Sequence, residues 1–134
     1  MFWTVHSRGS IPLYNALERV SQDVQQKIIV LAIAPAKVIP KILCFDSFHY
    51  ASTRDFVPQL GLATRLCLGD REDTPFQQVK GRIDIDQELK DFNELIWLDP
   101  HPNAPLHEHA FDSQTFELTI KRHITDYVKK NRTQ

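Results

Sequence analysis

Glycine is scarce in this sequence, and the four present, Gly9, Gly61, Gly69 and Gly81, are never closely spaced. Walker-type phosphate loops and dinucleotide fingerprints both need closely spaced glycines where backbone meets phosphate, so nucleotide binding by a standard loop is excluded. No Gly-x-Ser-x-Gly nucleophile elbow occurs. Cysteine is almost absent: Cys44 and Cys67 stand in the apolar runs Ile42-Leu43-Cys44-Phe45 and Leu66-Cys67-Leu68, where a thiol behaves as a small buried hydrophobe, so a disulfide framework is not expected. Long hydrophobic runs are missing as well. The longest, Ile28 to Ala36, is less than half of the roughly 20 residues a membrane-spanning helix requires. The first residues lack the charged and apolar regions of a signal peptide, and the expectation is a cytoplasmic protein. Nor is there a basic field: 16 Lys and Arg against 17 Asp and Glu leave a formal charge of −1, which disfavours direct nucleic-acid binding.

What is present fits an ordinary globular chain. The 134 residues are 42% hydrophobic and 25% charged, enough for one core and one domain spanning 1–134. Ser10 before Ile11-Pro12 reads as a capped helix start, and Leu13, Leu17, Val20 and Val24 recur at helical spacing, which predicts a helix ending near Gln26. The apolar run Ile28–Ile33 predicts a central strand covered on both faces. After Pro35 and Pro40, the segment Lys41–Asp46 predicts a second strand.

Further along, Ser52–Val57 with Gly61 predicts a short helix, Thr64–Leu68 a strand, and Thr74–Gln77 another short helix stopped by Gly81. Ile83-Asp84-Ile85-Asp86 alternates over too few residues to separate an edge strand from a loop, and its carboxylates read as a wet face. Glu94–Asp99 predicts a strand followed by a proline-rich connection, and a last helix from Asp112 or Ser113 carries Phe116, Ile120, Ile124 and Val128 four residues apart. Strands alternating with helices predict a single three-layer α/β domain, its mostly parallel sheet of four to five strands flanked by helices.

Two places draw attention for function. Phe2, Trp3 and Val5 form an apolar group near the start of the chain, and large aromatics there either pack back or anchor a partner. The second place is the loop from Asp99 to Asp112. His101, His107 and His109 with Asp112 supply imidazole and carboxylate groups of the kind that bind zinc or another divalent metal, and the loop leaves a strand where ligands gather in α/β folds. That pattern is the alternative, enzymatic expectation: a metal-dependent hydrolase or metal-binding protein. Otherwise no cofactor is implied.

Three segments carry a family resemblance. Trp3-Thr4-Val5-His6-Ser7-Arg8-Gly9, the stretch Ala32-Ile33-Ala34-Pro35-Ala36-Lys37-Val38 running into Ile42–Asp46, and the closing helix Phe116–Val128 together resemble the psi subunit of the bacterial DNA polymerase III clamp-loader assembly. The helix between Ser10 and Gln26 departs from that pattern. The resemblance implies a non-catalytic adaptor of DNA replication whose partner is another protein, a replication accessory subunit; the apolar group Phe2, Trp3 and Val5 is where a partner is expected to dock. Arg54-Asp55-Phe56-Val57-x-x-Leu60-Gly61-Leu62-x-Thr64-Arg65 is similar to a step in the cell-division inhibitors of the DNA-damage response, which implies a protein inhibitor instead.

Overall fold

This computed structural model describes residues 1–56, 90 and 94–132. Among the described residues four strands form one sheet, β1 (Phe2–His6), β2 (Ile29–Ile33), β3 (Asp46–Ser52) and β4 (Ile96–Leu98), in the spatial order β1-β2-β3-β4. Every pairing is parallel. Helices α1 (Ser10–Leu17) and α2 (Gln22–Gln25) connect β1 to β2, and α3 (Gln114–Arg132) closes the described chain.

The all-apolar β2 is buried along its whole length, as expected for a strand covered on both faces. Its alternate residues serve two cores. Val30 and Ala32 pack with Leu13 and Leu17 of α1, Ile39 and Cys44, while Leu31 and Ile33 pack with Tyr50 and with Phe116, Ile120 and Ile124 of α3. The expected three layers and the predicted last helix are both present. Among the described residues no helix is long and apolar enough to cross a membrane.

Several expectations shift. The predicted helix from Ser10 to Gln26 is two helices, because the Gln25 side-chain amide donates to the Leu17 carbonyl (2.8 Å) and closes α1 there. Ser10 does not cap; its hydroxyl donates to the Ser7 carbonyl and accepts from the Lys37 N–H. The strand predicted over Lys41–Asp46 is instead a 3-10 turn at Lys41–Leu43. Phe45 N–H donates to the Ile28 carbonyl (2.8 Å), so the chain joins the sheet only at Asp46. Ile42 and Phe45 are left exposed. The strand that does form, β3, is disguised by polar residues, and its buried His49 accepts the Ile39 N–H at 2.9 Å. Phe2–His6 had no strand prediction and forms β1.

Ser52 ends β3 rather than starting a helix. The remainder of that predicted helix, from residue 57, the strand at Thr64–Leu68 with Cys67, the helix at Thr74–Gln77 and the Ile83–Asp86 segment lie outside the described residues. The strand expected at Glu94–Asp99 is β4, three residues long.

Candidate active site

Parallel strands aligned in register bring their carboxyl ends, at His6, Ile33, Ser52 and Leu98, to one edge of the sheet. Ser7 follows β1 directly and takes φ 50°, a left-handed conformation that costs a non-glycine residue about 1–3 kcal/mol and persists only where neighbours enforce it. The enforcement is visible. The Ser7 carbonyl accepts the Ser10 hydroxyl (2.8 Å) and the Ala36 N–H (3.0 Å), and fully buried Ser10 is itself held by the Lys37 N–H. The chain then turns at once through a 3-10 segment, Ser7–Gly9, into α1. The result is a tight strand-to-helix elbow with a serine at its apex.

His109, in the loop after β4, faces this hydroxyl. Its Nε2 lies 2.9 Å from Ser7 Oγ, and its Nδ1 lies 2.8 Å from Oδ2 of Asp55, which is fully buried just beyond β3. A carboxylate can only accept, so Nδ1–H donates to Asp55 and Nε2 is left as the acceptor for the Ser7 O–H. His6 completes the shell by donating from Nε2 to the His109 carbonyl at 2.6 Å.

The neighbouring residue Glu108 ties the two loops together. It is fully buried, accepts the Ser52 hydroxyl at 2.5 Å through Oε2, and donates its own N–H to the Arg54 carbonyl. Arg54 in turn donates to the Ala104 carbonyl at 2.9 Å. Burial pushes the Glu108 carboxyl up, but hydrogen bonds from Ser52 and Thr115 with the Arg54 charge outweigh it and hold its pKa below the usual carboxylate value. Among the described residues the other oxygen, Oε1, is buried without a hydrogen-bond partner, as is the Ser113 hydroxyl.

The residues singled out from sequence are not brought together as a set. His101 N–H donates to Thr115 Oγ1 and its ring accepts the Asn103 N–H; His107 stacks on Phe56; Asp112 is exposed. Both ring nitrogens of His109 are engaged by Asp55 and Ser7. Among the described residues no three His, Cys, Asp or Glu side chains gather as metal ligands. At the other end of the chain, Phe2 packs edge-on against Tyr127 at 5.7 Å and Val5 against the α1 core. Trp3 stays 42% exposed.

Ser7 and Asp55 were missed as chemistry from sequence. The signal was Val5-His6-Ser7-Arg8-Gly9, which differs from the nucleophile-elbow pattern only in Val at its first glycine position. That Val is tolerated because its side chain packs into the α1 core. Gly9 occupies the second glycine position, yet a Cβ there would meet nothing within 4 Å.

No protein family, no curated protein and no solved structure matches this chain.

Proposed function

We propose that the protein is a serine hydrolase acting on an ester or related acyl substrate, with Ser7 as nucleophile, His109 as general base and Asp55 as its orienting carboxylate. The observation that carries this reading is the unbroken relay from Asp55 through His109 to Ser7, at 2.8 and 2.9 Å, both within the reach that proton transfer requires. The order Ser, Asp, His along the chain is the one in which α/β-hydrolases supply their triads. All three lie in connections that leave the carboxyl ends of parallel strands, where such folds place their chemistry.

The steps follow from the geometry. Ser7 Oγ attacks the acyl carbonyl while His109 Nε2 takes its proton, and Asp55 steadies the imidazolium that forms. The donor expected for the tetrahedral oxyanion is the Arg8 N–H, since in elbow-type hydrolases the residue after the nucleophile supplies one. Collapse expels the alcohol, which receives the proton from His109. Water then attacks the acyl-Ser7 ester, gives its proton to His109, and the acid leaves as that proton returns to Ser7. The test is turnover of a p-nitrophenyl ester by the full chain: wild type should release a burst of nitrophenolate as acyl-enzyme forms, and Ser7→Ala should release none. Equal turnover by both would overturn the assignment.

Exposure of Trp3 on the outer strand β1 favours a second, compatible reading, in which the protein docks another protein through this end of the sheet. Replacing Trp3 by Ala should weaken partner recovery without loss of fold; unchanged recovery removes Trp3 as the anchor.

A further inference from the structure

We infer that the row of aromatic rings beside Ser7 is a platform for an apolar acyl chain, which makes medium-chain acyl esters the preferred substrate class. This inference rests on the hydrolase reading and extends it to specificity. The rings are linked one to the next. Phe56 stacks on His107 (centroids 5.5 Å apart, 4° between planes), His107 lies over His109 (6.3 Å, 8°), His109 meets His6 (5.0 Å), and His6 meets Phe111 (5.8 Å). His109 stands at the middle of the row.

The two ends of the row are open. Phe56 is 50% and Phe111 59% exposed. Single exposed apolar residues are ordinary, but here two half-exposed phenylalanines flank a run of imidazole rings, and apolar groups paired about one site mark a place where something apolar docks. What docks is constrained by chemistry, because the centre of the row is the base that faces Ser7 Oγ. An acyl chain lying along the rings brings its carbonyl to the nucleophile.

Burying a methylene is worth about 0.8 kcal/mol, a factor of roughly four, and an open platform covers about half of it, or roughly twofold per methylene. Methyl hexanoate has four more methylenes than methyl acetate, which predicts a preference of roughly 16-fold. The measurement is binding of the two esters to the full-length Ser7→Ala chain by NMR titration, which needs no turnover and so separates this inference from the hydrolase assignment. The expected result is the hexanoate preference in Ser7→Ala, cut to less than about threefold when Phe56→Ala and Phe111→Ala are both added. Both phenylalanines are half-exposed, so these variants should keep the fold. Equal affinity for the two esters, or a preference that survives both replacements, would overturn the platform while leaving ester turnover by Ser7 to be judged separately.

Discussion

Ser7 Oγ and His109 Nε2 lie 2.9 Å apart although 102 residues separate them in the chain. Nothing local joins them; the parallel register of β1 through β4 brings one loop to the other. The catalytic account is therefore sensitive to the groups that hold the loops as well as to the triad itself.

Asp55 is the first of these. Replacing it by Asn preserves shape but offers an amide where His109 Nδ1–H needs an acceptor, so the imidazole turns to the wrong tautomer. Asp55→Asn should lower kcat on the order of ten-thousand-fold with KM little changed. Steady-state ester kinetics on protein with an unchanged circular dichroism spectrum checks this.

Glu108→Ala removes a buried carboxylate and strands the Ser52 hydroxyl, with an expected loss of about 3 kcal/mol in urea unfolding. Glu108→Gln keeps an acceptor for Ser52 and should recover more than half of that loss. Equal losses in the two variants would mean that the Ser52 bond contributes nothing.

Stability should also depend on pH through His49. Burial, with some help from the Lys41 charge, lowers its pKa to about 4 from an ordinary 6.5. Between these values the unfolded chain binds more protons than the folded one, so stability is full above about pH 6.5 and declines as pH falls toward 4. The decline attributable to this residue is about 3 kcal/mol at most. His49→Gln, which can still accept the Ile39 N–H, should flatten that part of the curve. Glu108 acts in a separate window: its carboxyl is held below the ordinary value of 4.5, so its contribution is present above about pH 4.5 and is lost only as pH falls through the folded value.

Gly9→Ala should be tolerated. A Cβ at Gly9 meets nothing within 4 Å, and its backbone, φ −60° and ψ −20°, suits any residue. A melting temperature within about 3 °C of wild type is expected. Phe116→Ala, by contrast, empties a fully buried site between β2, β3 and α3 and should cost about 3–5 kcal/mol in urea unfolding.

The parts of this fold that were legible in sequence are those whose hydrophobic pattern is unmixed. β2 announced itself because both faces are buried, and α3 because Phe116, Ile120 and Ile124 recur along one face. β3 was not legible, since its buried positions include Ser47, His49 and Ser52, and the partners of His49 and Ser52, at Ile39 and Glu108, lie in other segments. The more hydrophobic Ile42–Phe45 stretch beside it drew the strand assignment instead. At the site, His109 stood out as a histidine, but its neighbours in sequence, His107 and Asp112, suggested a metal. Its actual partners, Ser7 and Asp55, are 102 and 54 residues away, a relation that only the sheet register reveals.

The central claim is that Ser7 is an activated nucleophile, and its most direct test is covalent labelling by an alkyl fluorophosphonate with the modified residue located by peptide mass spectrometry. Wild type should carry one phosphonyl group on Ser7, and labelling should slow at least about a hundredfold in His109→Ala, where the base is gone. Wild-type protein that stays unlabelled, or that labels elsewhere at a rate indifferent to His109, would contradict it.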